Sequence, residues 1–589
     1  MIRRGIVFAA GVLALAAGAW GGPATTTTAP TTQLDKAGPA RFAILTSAHA
    51  RREPPAILVS WHVPAGGTVD LHRRTPGNPL WVKLNTAPMG VEVLQYVDRD
   101  VTVGRLYEYA VIRAPQASAS GFLWSGIEVA PVEARGKIVL VVESLLAKAL
   151  AKELALLAYD LIGDGWQVIR HDVGADAPVP KVKELLTREY NNDKQNVRAV
   201  YLLGHVGVPY SGNQAPDGHT DHVGAWPADG YYGDMDGVWT DAAISTAANV
   251  KPRQKNIPGD GRFDQIAFPS ELELAVGRVD LSDITVFAGK GEVELTRQYL
   301  RKTHLFRHRK KAYPAKALIA DNFHTLNFAA GAWRSFAPMV GSNNITELAG
   351  REAAGAVPML ARSGHLWVYG CGAGYWGGAG GVANNGAFVG NSLQAPFWML
   401  FGSYFGDWDV KDSFLRVPLA SSDALTCAWA GYPFWYFHPM AMGETVGQCA
   451  RLSMNNGPPH PSYPLNAGAR GVHMALMGDP TLRCFVVAGP SGVRARSLGS
   501  AVALDWTASP EAVLGYHVYR ADSPAGTFVR LNADLVKATS YTDAAPSKSS
   551  EAVYMVRAMA LQATPSGSFL NLSQGAFDDA AKRGAAEVR

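Results

Sequence analysis

Short, unbroken runs of apolar residues recur through the middle of this chain, and they constrain its fold more than any other feature. Residues 137–142, 197–203 and 317–321 are runs of this kind. Runs of this length without alternation are typical of strands buried on both faces of a parallel sheet. Segments with helical spacing lie between them, for example 144–162. Strands that alternate with helices predict an α/β domain with a mostly parallel sheet and right-handed crossovers.

Two further apolar runs, 366–369 and 397–401, each end in glycine beside a side chain of the nucleophile type. Cys371 follows the first run and Ser403 follows the second. If the two strands are neighbours, both side chains lie at the carboxyl ends of a sheet, where open α/β folds place their sites. We therefore take Cys371 and Ser403 as the candidate catalytic positions.

The same stretch resembles the gingipain-like cysteine peptidases (clan CD, caspase-like fold, peptidase family C25). In that family one strand ends in Gly-His-Gly and the next runs into a Ser-Cys-x-x-Gly-x-Phe-Asp type of segment. Gly370-Cys371-Gly372 matches the first motif, and residues 403–409 match the second. This chain departs from the family at both catalytic positions, because Cys371 replaces the histidine and Ser403 replaces the cysteine.

The resemblance extends over residues 136–485 and includes a closing Gly-Asp-Pro-Thr-Leu at 478–482. It implies a caspase-like domain of two α/β subdomains with mostly parallel sheets, spanning residues 136–285 and 286–485. It also implies a peptidase scaffold whose site has lost its original dyad.

Three functions are compatible with these residues. The first is a pseudoenzyme that binds a protein, peptide or polysaccharide ligand or has a structural role. The second is an active hydrolase with a rearranged nucleophile, Cys371 or Ser403. For Cys371 the candidate bases are His324, His205 and His438, since a cysteine nucleophile needs one. The third is a cell-surface adhesion or polysaccharide-binding protein in which the outer domains do the binding.

All-β segments flank the α/β region. Short strands of alternating apolar and polar residues, separated by Pro and Gly turns, occur in residues 41–133 and 490–575. This pattern is typical of a β-sandwich. Trp61 in the first segment and Trp506 in the second, with the Tyr-rich strands that follow them, resemble fibronectin type III modules. The predicted architecture is therefore multidomain, with the α/β domain between two fibronectin type III-like sandwiches.

The N-terminus predicts export. Residues 1–19 have a basic start, an apolar middle and an Ala-x-Ala site, the pattern of a bacterial-type secretory signal peptide. A Thr- and Pro-rich linker (20–40) follows, and a charged tail (576–589) closes the chain. No later run reaches the roughly 20 apolar residues that a transmembrane helix needs. We expect a secreted, extracytoplasmic protein.

The net charge of +4 over 589 residues is small, and the one basic run, 307–311, is explained by a solvated helix end. We therefore predict no nucleic-acid partner. Acidic residues gather in one Gly-rich loop instead. Asp234 and Asp236, with Asp229 and Asp241 nearby, offer the oxygen ligands that Ca²⁺ prefers, although no Glu completes an EF-hand. Calcium is thus the only cofactor that the sequence indicates, and the resemblance agrees with it.

Aromatic residues are concentrated around the two candidate catalytic positions. Most of them should be core, because buried aromatics dominate the packing of large domains. Tyr375 and Trp376 differ, since they lie in a Gly-rich loop just after Cys371. We predict that these two form an exposed platform for a peptide or sugar ligand.

Overall fold

The N-terminal part of the chain is a sandwich of two antiparallel sheets, seen in a computed structural model that describes residues 43–578 apart from 63–66, 91, 115–118, 243–251, 325, 422, 459–460 and 465–468. Both sheets contribute to one core that includes Trp61, Leu71 and Tyr109. Its strands are β1 (Leu45–Arg51), β2 (Ala56–His62), β3 (Thr68–Arg74), β4 (Val82–Lys83), β5 (Met89–Gly90), β6 (Gln95–Asp98), β7 (Leu106–Ala114) and β8 (Ser120–Gly126).

Several predicted segments lie outside the described residues: the signal peptide (1–19), the linker (20–40) and the tail from residue 579 onward. Within the described part of the chain, no helix combines the length and the apolar character that crossing a membrane requires.

The central domain is built on a ten-stranded sheet. Its strands and the short strands beside it are β9 (Gly136–Glu143), β10 (Trp166–Val173), β11 (Val197–Leu203), β12 (Tyr210–Gln214), β13 (Gly224–Pro227), β14 (Ala275–Val279), β15 (Ala317–Asp321), β16 (Ile345–Ala349), β17 (Trp367–Cys371), β18 (Ala373–Tyr375), β19 (Gly378–Gly380), β20 (Ala383–Asn384), β21 (Phe397–Phe401), β22 (Thr426–Trp429) and β23 (Ala475–Gly478). The predicted apolar runs at 197–203, 317–321 and 397–401 are strands with those bounds.

The strand order is β10-β9-β11-β14-β23-β22-β21-β17-β15-β16. Neighbours are parallel throughout, except that β23 runs antiparallel to β22. The resemblance implies two α/β subdomains with mostly parallel sheets, and in the structure the strands of both halves form one continuous sheet. The reason is β23, from the end of the domain, which inserts between β14 of the first half and β22 of the second.

Helices cover the sheet: α1 (Ser144–Ala149), α2 (Ala151–Gly163), α3 (Val179–Asn192), α4 (Glu292–Arg307), α5 (Ala330–Val340), α6 (Ala356–Arg362), α7 (Asn385–Gly390), α8 (Val417–Ala420) and α9 (Val446–Met454). Helix α4 has Glu292 and Glu294 in its first turn and His304 and Arg307 in its last turn, which suits the helix dipole. The first helix is capped by the carboxylate of Glu143, which accepts from two backbone amides.

The C-terminal part is a second sandwich of two antiparallel sheets with a shared core around Trp506, Val518 and Val556. Its strands are β24 (Ser491–Ser497), β25 (Val502–Thr507), β26 (Gly515–Ala521), β27 (Val529–Arg530), β28 (Ser540–Asp543), β29 (Val553–Thr564), β30 (Gly567–Leu572) and β31 (Ala576–Phe577). Both all-β segments therefore consist of antiparallel sheets, and their likeness to fibronectin type III modules stays a prediction.

Candidate functional site

Ser403 lies just beyond β21, at the carboxyl edge of the central sheet. Strands β17 and β21 are parallel neighbours, with Cys371 paired to Phe401, so the segments after both strands emerge at the same edge. The chain turns sharply after Ser403, because Tyr404 has a positive φ of 67° and the amide of Phe405 donates back to the Ser403 carbonyl at 2.8 Å. A non-glycine residue with positive φ is strained, and such strain is concentrated at functional sites.

A histidine lies against the Ser403 hydroxyl. Nε2 of His219 is 2.7 Å from Oγ of Ser403, and the His219 ring stacks on Tyr404 with centroids 4.9 Å apart. His219 lies on the exposed connection between β12 and β13, 184 residues before Ser403. The structure thus pairs the predicted nucleophile position with a base that the sequence prediction did not name.

Asp217 holds the two partners together. Its buried carboxylate accepts from the backbone amide of His219 at 3.2 Å and from the backbone amide of Tyr404 at 2.9 Å. It also accepts from Nδ1 of His222 at 2.7 Å. Burial opposes ionisation of Asp217, but these hydrogen bonds outweigh it and lower its pKa. One carboxylate therefore ties the segment that carries the base to the turn that carries Ser403.

His222 forms the buried floor of this arrangement. Its ring lies between two carboxylates, with Nδ1 at 2.7 Å from Asp217 and Nε2 at 3.3 Å from Asp407. Arg253 and Gln254 also donate to Asp407. Burial disfavours the imidazolium, yet the two carboxylates outweigh burial and raise the pKa of His222 above its ordinary value of 6.5. The protonated ring donates to both acids at once.

This geometry predicts a pH dependence. A raised folded-state pKa means that the stability from His222 is complete below about pH 6.5 and is lost as pH rises through the folded pKa. We expect His222→Gln to cost about 1–3 kcal/mol near pH 6 and progressively less toward pH 9. Urea unfolding midpoints of both proteins across this range measure the difference. A cost that does not change with pH would contradict the proposed protonation.

The backbone around Ser403 is unusually crowded on one side. A Cβ atom on Gly374, in β18, would lie 2.0 Å from the amide nitrogen of Ser403, so only glycine fits there. No described residue accepts a hydrogen bond from that amide. It is therefore a donor at the nucleophile position, which is where an oxyanion hole needs one.

Cys371, the other predicted catalytic position, lies in the core. Its side chain is 0% exposed and packs with Met399 and Phe401. Burial, with the charge of Asp321 added to it, raises the pKa of the thiol well above its ordinary value. A buried neutral thiol is a poor nucleophile and a poor base.

The three histidines weighed from the sequence have other surroundings. Nδ1 of His205 is 2.8 Å from Asp280, and Nε2 of the buried His438 is 3.2 Å from Glu108. The His324 ring packs beside Gly350. None of the three is the residue that contacts Ser403. The available sequence signal was the segment 217–222, which has two histidines and two aspartates in six residues.

The predicted aromatic platform borders this site. Trp376 lies edge-on to His222 at 5.3 Å between ring centroids and 5.8 Å from Tyr404. Tyr375 is 46% exposed. The pair therefore lies next to Ser403 with one ring open to solvent, and its role in binding stays a prediction.

The four aspartates of the predicted calcium loop do not form a single cluster, because Asp229 and Asp241 bind other partners. Asp229 pairs with Arg278 at 2.8 Å, and Asp241 accepts from the amides of Gly259 and Gly261. The carboxylate of Asp234 accepts from Gly237, Trp239 and Ser270. The oxygens of Asp234, Asp236 and Glu273 still lie within 4.8 Å of one another. Calcium at Asp234 and Asp236 remains a prediction, with Glu273 rather than Asp229 or Asp241 beside them.

Comparison with known proteins gives distant structural likeness only. No protein-family profile and no curated protein matches the sequence. The Arg-specific cysteine proteinase gingipain R is similar in structure, with 12% identity, a TM-score of 0.46, and coverage of 76% of this chain and 98% of that one. The complex of Porphyromonas gingivalis RgpB pro- and mature domains has 11% identity, a TM-score of 0.45, and coverage of 75% and 100%.

A second likeness covers a smaller share of the chain. An Fn3-like protein from Clostridium thermocellum has 26% identity and a TM-score of 0.13, covering 16% of this chain and 94% of that one. All of these TM-scores are below 0.5, and a likeness at this level carries no conclusion about activity.

Proposed function

We propose that this protein is an extracytoplasmic hydrolase that transfers acyl groups through Ser403, with His219 as the general base. The observation that carries the proposal is the 2.7 Å contact between Ser403 Oγ and His219 Nε2. A serine and an imidazole at this distance are the two groups that nucleophilic acyl transfer requires. Peptides are the proposed substrate class, because Ser403 falls on the nucleophile position of the peptidase family that the sequence resembles.

The proposed reaction balances with these two side chains. Ser403 Oγ attacks the substrate carbonyl carbon while its proton moves to His219 Nε2, which requires the tautomer with hydrogen on Nδ1. The oxyanion faces the Ser403 amide. The imidazolium then gives its proton to the leaving amine or alkoxide as the carbonyl–leaving-group bond breaks. Water repeats the sequence on the acyl-enzyme and frees Ser403.

The base lacks the acid that completes a triad. No described residue accepts a hydrogen bond from Nδ1 of His219, which is exposed to solvent. Asp217 positions this residue through its backbone amide instead. Losing the acid of a triad lowers turnover by about 10⁴-fold. We therefore expect slow turnover that is easier to detect on activated esters than on amides.

A fluorophosphonate probe tests the proposal on the full chain. Probe labelling is expected in the native protein, to be absent in Ser403→Ala, and to be strongly slowed in His219→Ala. Ser497→Ala, an exposed serine in the C-terminal sandwich, is the matched control and should label like the native chain. Labelling that persists in Ser403→Ala would place the reactive group elsewhere.

A second candidate is a binding site without catalysis, as the pseudoenzyme interpretation holds. The observation that favours it is the aromatic rim of Tyr375, Trp376 and Tyr404 around a serine whose base has no supporting acid. In that case peptide or glycan arrays probed with the native chain would give ligands, while the fluorophosphonate probe would label nothing. Tyr375→Ala should then weaken binding, because an exposed aromatic face supplies the contact.

A further inference from the structure

A cavity of about 340 Å³ lies where the three parts of the chain meet, away from Ser403. Trp124 of the N-terminal sandwich, Thr445 of the central domain and Phe569 of the C-terminal sandwich all line it. This volume is within the range of pockets that hold small molecules.

The lining of this junction cavity is strongly cationic. Five arginines line it, against a single acidic residue, Glu444. Behind them, Asp164 is shared by three of these guanidinium groups at nitrogen–oxygen distances of 2.7, 3.3 and 3.8 Å. At the cavity itself, five guanidinium groups thus face two carboxylates, Glu444 and Asp164. The arginines are Arg135, Arg198, Arg451, Arg483 and Arg557.

Several N–H donors of the lining residues lack an acceptor. Nη2 of Arg557, which is 1% exposed, and Nε1 of both Trp124 and Trp166 are buried with no hydrogen-bond partner among the described residues. Among the described residues, the Arg135 side chain contacts only Asp164, through Nε to its carbonyl and its carboxylate. Buried donors without acceptors are costly, and here a single carboxylate, Asp164, is shared among three guanidinium groups.

The pKa of Arg135 also reflects the excess of positive charge around the cavity. Burial, together with the neighbouring Arg483 and Arg557, outweighs Asp164 and lowers the pKa of Arg135 to about 10. An additional negative charge in the cavity would relieve that penalty.

We propose that the junction cavity binds a compact anion with at least two negative charges on phosphate, sulfate or carboxylate oxygens. The forked guanidinium group matches such planar or tetrahedral oxygen arrays with two parallel hydrogen bonds. Cations are repelled by five arginines, and neutral acceptors lack the charge attraction that anions gain there. Because Arg557 lies in the C-terminal sandwich and Arg198, Arg451 and Arg483 lie in the central domain, a bound anion would contact both.

Isothermal titration of the full chain with inorganic diphosphate, sulfate or citrate tests the proposal, with NaCl added to keep ionic strength constant. We expect at least one of the three anions to bind. The anion that binds shows whether the cavity prefers phosphate, sulfate or carboxylate oxygens. Arg135→Gln and Arg198→Gln should each weaken that binding about tenfold or more. Arg496→Gln, an exposed arginine of β24, is the matched control and should leave the Kd unchanged.

Two results would overturn the proposal. One is the absence of binding heat with all three anions. The other is equal weakening by Arg198→Gln and Arg496→Gln, which would mean non-specific attraction to the surface. Arg198 is exposed, so its variant keeps the test decisive if Arg135→Gln fails to fold.

Discussion

Ser403→Ala and His219→Ala are each expected to lower kcat/KM for an activated ester by about 10²–10⁴-fold, the range that positioned acid–base catalysis supplies. The 2.7 Å contact makes the hydroxyl and the imidazole one reacting unit. The double variant should therefore lose no more kcat/KM than either single variant, because the effects of groups that act as one unit are not additive. Steady-state kinetics of the two single variants and the double variant measure this.

Thr220→Ala is the control for these single and double variants. Thr220 is exposed and lies next to His219 in the same turn, so its variant disturbs the segment without touching the imidazole. Its kcat/KM should equal that of the native chain. Losses that multiply in the double variant would show that Ser403 and His219 act independently, and hydrolysis that survives Ser403→Ala would place the nucleophile elsewhere.

Glu108→Ala is expected to have the largest effect on stability. Glu108, in β7 of the N-terminal sandwich, is 1% exposed and accepts from Nε of Arg74 at 2.6 Å. It also accepts from the hydroxyl of Tyr463 at 2.6 Å and from His438 at 3.2 Å, both in the central domain. These partners outweigh burial and lower the pKa of Glu108, so the carboxylate is ionised opposite Arg74.

Removing this carboxylate leaves a buried guanidinium unpaired, which costs about 3–5 kcal/mol. The free energy of unfolding from urea titration, monitored by tryptophan fluorescence, measures the loss. Glu128→Ala is the matched control, because Glu128 pairs with the exposed Arg52 and such surface pairs contribute less than about 1 kcal/mol.

Replacing both Arg74 and Glu108 distinguishes the effect of an unpaired charge from the effect of lost packing. Arg74→Met with Glu108→Leu removes both charges and should recover part of the loss, since apolar replacement of a buried pair is often neutral. The Tyr463 hydroxyl and His438 still lose their acceptor. A single Glu108→Ala loss below 1 kcal/mol would mean that water reaches Arg74 and that the network does not join the two domains.

The parallel strands of the central domain could be predicted because their signal is local. Strands β11, β15 and β21 coincide with unbroken apolar runs, and a strand buried on both faces needs such a run wherever it lies. The end of β21 then places Ser403 at the carboxyl edge of the sheet. This much follows from neighbouring residues alone.

No local sequence signal predicts that the central sheet is continuous. Whether β23 joins one half or bridges both depends on its pairing with β14 and β22, which lie far away in the chain. An apolar run shows that a strand is buried but does not name its neighbours. Two separate sheets and one ten-stranded sheet are therefore equally compatible with the same runs.

The layered α/β centre and the place of Ser403 at a strand end could be read from local patterns, because burial sets the pattern of each short segment. The contact of His219 with Ser403 and the burial of Cys371 in the core became visible only in the folded chain. A hydrogen bond across 184 residues leaves no periodicity in the chain. It depends on how Asp217 folds one loop against another, through contacts that exist only once both loops are in place.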